Sequence, residues 1–118
     1  MDYLANDYLI PVVLGEGTDA DNAASFIYKK TSIRPYLLSN GFSLNQRLMF
    51  KCKKLIFASD FCIVTYLCDL ADKLESRGSP LLVYTKEYED LVIAHSEEIE
   101  SRYVCVSAHK LINNSKEP

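Results

Sequence analysis

The sequence has no apolar run long enough to span a membrane and no concentrated basic face. A membrane-spanning helix needs about 20 consecutive apolar residues. Nucleic-acid binding needs clustered positive charge, whereas the 13 Lys and Arg residues are dispersed except around Lys51, Lys53 and Lys54, and the net charge is −3. We therefore expect neither a membrane nor a nucleic acid as a partner.

The chain also lacks the cysteine spacing of a zinc site, because none of its four cysteines belongs to a Cys-x-x-Cys pair. This favours free thiols in a reducing compartment over a metal site or a disulfide. The cysteines are Cys52, Cys62, Cys68 and Cys105. The opening residues MDYLAND carry acid where a secretory signal carries basic residues, so a cytoplasmic location is predicted.

What the chain does contain is the composition of one globular domain, with 48% apolar and 25% charged residues in 118. Its clearest element pair lies in residues 8–31. The apolar run 9–14 does not alternate with polar residues, as expected for a parallel strand covered on both faces. A glycine turn follows at Gly15-Glu16-Gly17-Thr18. Small apolar residues then recur at helical spacing at Ala20, Ala23, Ala24 and Ile27. This is a strand, a turn and a helix, the opening unit of a doubly wound sheet.

The rest of the chain continues the alternation of strands and helices. Further strands are predicted at 34–39, 55–58, 81–84 and 103–106, and further helices from about 60 to 77 and from about 85 to 101. Pro11 predicts either a local irregularity in the first strand or regular pairing that begins at Val12. Right-handed crossovers then give an α/β fold, a Rossmann-like three-layer sandwich with a mostly parallel five-stranded sheet in the order 3-2-1-4-5.

The remaining predictions concern the middle of the chain, the domain boundary and the helix ends. Residues 42–51 are expected to be a loop with one helical turn. Residues 1–108 form the domain, and residues 109–118 a polar tail or linker. For the helix ends, Thr18 or Asp19 is predicted as the first N-cap, Gly78 as a left-handed cap and Thr85 as the cap of the last helix.

The glycine turn matches the dinucleotide-binding fingerprint Gly-x-Gly-x-x-Ala. Two observations oppose nucleotide binding there. Glu16, Asp19 and Asp21 would repel a pyrophosphate at the helix start. The second strand ends in Ser39-Asn40, without the acid that holds the ribose hydroxyls. A structural turn is the favoured interpretation.

A receiver-like phosphoacceptor module is an alternative, because Asp60, Thr85 and Lys110 each follow a predicted strand. Against it, the paired acids that hold magnesium after the first strand of a receiver are replaced here by Gly15-Glu16-Gly17. No nucleophile elbow or catalytic triad is present in the sequence. His95 is expected to be a half-buried residue of a helix face.

Two segments carry a resemblance to a known family: LIPVVLGEGTDADNAASFIYKKTSIRPYLLS and SPLLVYTKEYEDLVIAHSEEIESRYVCVSA. Together they resemble the amino-terminal, pre-ATP-grasp domain of ATP-grasp carboxylate–amine ligases, including relatives of the carbamoyl-phosphate synthase large subunit. The resemblance covers residues 8–108. It rests on the sequence of elements: a glycine turn before a helix of small residues, and a Thr before an acid-rich helix.

The resemblance implies an enzyme that activates a small carboxylate with ATP and Mg²⁺ and joins it to an amine. It places the nucleotide, the metal and catalysis in downstream domains or in a subunit that carries them. This chain would be inactive alone and would hold no cofactor or metal. By the same resemblance, Gly15, Glu16, Gly17 and Thr18 would form the rim of the substrate pocket. A stand-alone small α/β binding module, or a receiver-like signalling module, is the alternative.

Overall fold

A computed structural model describes residues 3–4, 8–15, 17–39, 54–57, 60–74 and 77–115, and every structural statement below concerns these residues. The predicted segment 42–51 lies outside them. Strands and helices alternate along the described chain. In order they are β1 (Leu9–Leu14), α1 (Gly17–Thr31), β2 (Tyr36–Ser39), β3 (Lys54–Phe57), α2 (Asp60–Leu74), β4 (Ser79–Tyr84), a 3-10 turn (Lys86–Tyr88), α3 (Glu89–Ala94), α4 (Ser96–Glu100), β5 (Val104–Ser107) and α5 (Ala108–Ser115).

The strands form a parallel sheet in the order β3-β2-β1-β4-β5, with β1 in the middle. The predicted α/β class is therefore confirmed. Pairing of β1 with β2 begins at Val12, as Pro11 predicted, because proline has no N–H to donate. Between β1 and β4 a start of pairing at Val12 is wrong, because β1 pairs with β4 along its whole length, from Leu9 to Leu14.

Helices cover both faces of the sheet, which explains why β1 is apolar without alternation. One face carries α1 and α5, and Val13 points into that layer. The other face carries α2, α3 and α4, and Val12 and Leu14 point there. The predicted helix faces are confirmed. Fully or almost fully buried residues on them are Ala20, Ala23, Ala24 and Ile27 in α1, and Ile63, Leu67, Leu70 and Leu74 in α2.

Two glycines differ from their predicted roles. Helix α1 begins at Gly17, whose φ of 60° is the left-handed region that glycine adopts without strain. Thr18 and Asp19 consequently lie in the first turn, and the predicted N-caps there are wrong. Gly78 is not left-handed. It is needed because a Cβ would overlap the Tyr8 carbonyl oxygen, which accepts a 2.8 Å hydrogen bond from the Ser79 N–H.

The predicted tail at 109–118 is a helix over most of its length. Helix α5 spans Ala108–Ser115 and packs against α1, and Leu111 is only 1% exposed. The Ser107 hydroxyl caps it by accepting the Lys110 N–H at 3.1 Å. The packed domain therefore extends beyond residue 108. The polar composition was misleading because the contact with the core uses only Ala108 and Leu111, while the other side chains of the helix are polar or only partly buried.

The predicted last helix is interrupted. It starts as the 3-10 turn, continues as α3, and breaks at His95 before α4. Its apolar face is nevertheless as predicted, with Tyr88, Val92 and Ile99 buried and His95 half-buried. Within the described residues, no helix combines the length and apolar character needed to cross a bilayer.

Candidate functional site

A cleft of about 540 Å³ opens at the carboxyl edge of the sheet, where the strand order reverses. After β1 the chain adds β2 and β3 on one side of β1, and it then returns to add β4 and β5 on the other side of β1. Ligands of open parallel sheets bind outside the strand ends at such a reversal. The start of α1, the ends of β4 and β5, and α5 form the walls. Lining residues are Asp19, Asn22, Tyr84, Thr85, Lys86, Glu89, Ser107, Ala108, His109, Ile112 and Asn113.

Gly15 follows the end of β1 and lies against Thr85, but it does not line the cleft. Its N–H donates to the Leu38 carbonyl at 3.2 Å, and the Thr85 N–H donates to the Leu14 carbonyl at 2.9 Å. A Cβ at Gly15 would overlap the Thr85 methyl group and lie 2.9 Å from its hydroxyl oxygen. The glycine therefore lets the end of β4 approach the end of β1 closely.

Thr85 is the most buried polar residue of the cleft, with 1% of its surface exposed. It occupies the N-cap position of the 3-10 turn, and its carbonyl accepts the Tyr88 N–H at 3.0 Å. Its hydroxyl makes no side-chain cap and has no hydrogen bond of standard geometry to a described residue. The hydroxyl still lies near the Glu87 carboxylate and is the main cause that lowers the pKa of Glu87.

Acidic side chains predominate at the mouth of the cleft. Asp19 and Glu89 line it, and Glu87 is a neighbour, because Asp19 is a further cause of the lowered Glu87 pKa. Lys86 supplies the lining ammonium group. The three carboxylates and the one ammonium group sum to two excess negative charges. The electrostatic field therefore favours a cation over an anion.

His109 and Asn113 form the helix wall of the cleft. The Asn113 side-chain nitrogen lies 2.8 Å from His109 Nε2 and donates to it in the tautomer that leaves this nitrogen unprotonated. Both residues project from α5, one helical turn apart. They add a polar surface beside the apolar side chains of Ala108 and Ile112.

None of the described residues of the predicted rim lines the cleft, but the next residue, Asp19, does. Gly15 is buried behind Thr85, Gly17 begins α1 and Thr18 is exposed. Glu16 lies outside the described residues. The assignment of Gly15 to Thr18 as the rim of a pocket shared with further domains stays a prediction.

The residues that sequence reasoning missed lie after β4 and β5. Lys86, Glu89, His109 and Asn113 line the cleft, yet the sequence showed no motif around them. One signal in the sequence could have indicated these residues, because all strands of a parallel sheet have their carboxyl ends at the same edge. The residues that follow β4 and β5 could therefore have been predicted to lie near those that follow β1. They are Thr85-Lys86 and Ser107-Ala108-His109.

The receiver-like constellation does not assemble. Asp60 follows β3 at the edge of the sheet, whereas Thr85 follows β4. Three strand spacings separate β3 from β4, or about 14 Å. Strand ends this far apart do not meet at a single phosphoryl site, which spans only hydrogen-bond distances. Lys110 is exposed and does not line the cleft.

The described cysteines are free, as predicted: Cys62 is exposed, and Cys68 and Cys105 are half-buried. Cys52 lies outside the described residues. Burial raises the pKa of Cys105 to about 11, so this thiol is not activated as a nucleophile. In the described part of the chain, no group of three or more His, Cys, Asp or Glu side chains is placed to hold a metal ion. Comparisons with family models, curated proteins and solved structures found no match.

Proposed function

We propose that this chain is the substrate-side, amino-terminal domain of an ATP-dependent carboxylate–amine ligase, with a Rossmann-like pre-ATP-grasp fold. The observation that supports this best is the cleft at the strand reversal, which is lined by donors, acceptors and both signs of charge. Such a surface suits a small polar substrate. The resemblance over residues 8–108 supplies the reaction class.

The cleft residues do not fit Mg-ATP. ATP carries several negative charges and is usually held by basic residues or by a cradle of backbone N–H groups. Here Asp19, Glu87 and Glu89 would face it, with Lys86 as the lining ammonium group. The proposal therefore assigns no step of nucleotide chemistry to this chain. Its own residues bind and orient a substrate for domains that follow it or for a separate subunit.

The first experiment is to read the gene and its neighbours for a region that encodes an ATP-grasp unit. The chain is then produced together with that unit, and ADP release is measured with candidate carboxylates and amines, singly and together. We expect release that requires both substrates and is lost when this chain is omitted. The absence of any ATP-grasp region in the gene and beside it would refute the proposal.

A stand-alone small-molecule binding module is the second candidate, because the fold brings polar residues of α1, β4, β5 and α5 together in one cleft. It predicts saturable ligand binding by the chain in the absence of any partner. The receiver-like form of this candidate predicts that an acyl-phosphate donor with Mg²⁺ adds a phosphoryl group. Given the separation of β3 from β4, we expect the intact mass to stay unchanged; a phosphoryl adduct at Asp60 would revive that form.

A further inference from the structure

A groove of about 360 Å³ lies at the amino edge of the sheet, opposite the edge that carries the cleft. Strand β2 begins there with Tyr36, and helix α2 ends there with Leu74. The start of β2 and the second half of α2 form its walls. The lining residues are Tyr36, Tyr66, Leu70, Lys73, Leu74 and Arg77. None of them lines the cleft, so the two sites are separate.

The floor of the groove is apolar and belongs to the core of the protein. Leu70 and Leu74 are 8% and 4% exposed, and they lie one turn apart on the face of α2 that packs on the sheet. The side chains of Tyr36 and Tyr66 pack against the same core and remain half-buried. This concave apolar surface still contacts water, so an apolar group that covers it would gain the free energy of burial.

Two positive charges border this apolar surface. Lys73 lies in the last turn of α2 and Arg77 follows the helix, and both side chains are exposed. Among the described residues, neither forms an ion pair. The described lining of the groove contains no carboxylate. The charges that line the groove are therefore positive, whereas acids predominate at the mouth of the cleft.

An organic carboxylate with an apolar group satisfies both features. The Arg77 guanidinium can donate two parallel hydrogen bonds to a carboxylate, and the Lys73 ammonium group supplies a second positive charge. A ring or short alkyl chain on the same molecule would cover the leucines and the tyrosine rings. A bare anion or a neutral apolar molecule would use only one of the two features. A cation would be repelled by Lys73 and Arg77.

We propose that this groove binds a small organic carboxylate. Lys73 and Arg77 hold the carboxylate, and the apolar part of the ligand lies against Leu70, Leu74 and the tyrosine rings. This site is additional to the cleft and does not rest on the proposed function. Because the groove and the cleft lie at opposite edges of the sheet, a ligand in one leaves the other open.

The test is an NMR titration of the full 118-residue chain with phenylacetate, which carries both a ring and a carboxylate. Phenylacetamide keeps the shape without the charge, and acetate keeps the charge without the ring. We expect saturable shifts with phenylacetate at the backbone amides of residues 66–74 and 77. Phenylacetamide is expected to bind about 2- to 10-fold more weakly, and acetate at least about 10-fold more weakly.

Three results of this titration would overturn the inference. The first is binding of phenylacetamide as tight as that of phenylacetate. The second is a set of phenylacetate shifts at residues 85–89 and 107–113 in place of the groove. The third is the absence of saturable shifts with phenylacetate at high millimolar concentration.

Basic residues at the ends of two helices supply a matched pair of variants. Lys73 and Lys29 are both exposed, and each lies in the last turn of a 15-residue helix, but only Lys73 lines the groove. Each ammonium group also stabilises its helix through the dipole. Lys73→Gln is expected to weaken phenylacetate binding about 2- to 5-fold, and Lys29→Gln to leave it unchanged. Equal weakening would mean that net charge alone attracts the anion, and would contradict a site.

The double variant Lys73→Gln/Arg77→Gln tests the selection of the anion directly. It should bind phenylacetate and phenylacetamide with equal affinity, because only the uncharged contacts remain. A retained preference for phenylacetate would mean that other groups hold the carboxylate, and would remove both residues from the site. These results are separable from the ligase proposal, because binding in the groove requires no ATP-grasp partner and ADP release in the presence of one does not depend on it.

Discussion

Replacing Gly15 with Ala is expected to destabilise the protein because the added methyl group has no room beside Thr85. The new Cβ would overlap the Thr85 methyl group and lie 2.9 Å from its hydroxyl oxygen and 3.2 Å from its Cβ. Rotation of the Thr85 side chain only exchanges the groups that face Gly15. The backbones cannot easily separate either, because Thr85 N–H donates to Leu14 and Gly15 N–H donates to Leu38.

The magnitude follows from two opposing effects. Overpacking of this kind costs about 1–3 kcal/mol. Alanine also restricts the unfolded chain more than glycine does, which returns about 0.4–1 kcal/mol. We expect a net loss of about 1–2 kcal/mol in the free energy of unfolding. Thr85→Ala removes both overlapping groups, so the double variant should lose at least about 1 kcal/mol less than the sum of the two single variants.

The parent protein, the two single variants and the double variant form a double-mutant cycle. Chemical denaturation of these four proteins measures the coupling energy between positions 15 and 85. Gly17→Ala is the control, because its cost arises from the φ of 60° at the start of α1 and not from contact with Thr85. It should cost about 1–2 kcal/mol, and Thr85→Ala should not reduce that cost. If Gly15→Ala and Thr85→Ala instead add without coupling, the close approach of the two strand ends is not what requires glycine at position 15.

Three further predictions concern other parts of the chain. Tyr103→Phe should lower the free energy of unfolding by about 1 kcal/mol, measured in urea, because the buried Tyr103 hydroxyl donates to the Leu67 carbonyl at 2.7 Å. Burial raises the pKa of Cys105 from 9.0 to about 11, so its contribution to stability is complete below pH 9 and should be lost between these values in a pH series of melting temperatures. Cys105→Ala should weaken that dependence without abolishing it, because burial also raises the pKa values of Cys68, Tyr84 and Tyr103. Isothermal titration with Mg-ATP should give no saturable heat at micromolar concentrations, and a clear one-to-one isotherm would mean that a nucleotide site exists in this chain.

The sequence predicted the framework well because the framework depends on repeated local signals. Eight buried positions on α1 and α2 follow from apolar residues at helical spacing, which a single sequence reveals directly. The parallel pairing of β1 with its neighbours follows from an unbroken apolar run and from helices long enough to cross over. Both kinds of inference use many residues, so one misplaced boundary does not alter them.

The site was harder to predict because it depends on single residues that meet only in the folded chain. Asp19 and Glu89 are 70 positions apart, and nothing in either local sequence refers to the other. The role of Gly15 likewise depends on Thr85, which reaches it across the sheet. Helix α5 was missed for a related reason, since its docking rests on Ala108 and Leu111, and two buried apolar residues in a mostly polar segment are too weak a signal.

The acids of the cleft also stabilise the helices that carry them. Asp19 and Glu89 each lie in the first turn of a helix, where a negative charge stabilises the helix by about 0.3–1 kcal/mol through the helix dipole. Asp90 shares that position in α3 but does not line the cleft. Glu89→Gln and Asp90→Asn should therefore lower the melting temperature by similar small amounts, since both remove one charge from the same turn. A clearly larger loss for Glu89→Gln than for Asp90→Asn would contradict this reasoning, because it would mean that Glu89 also stabilises the fold through its neighbours in the cleft.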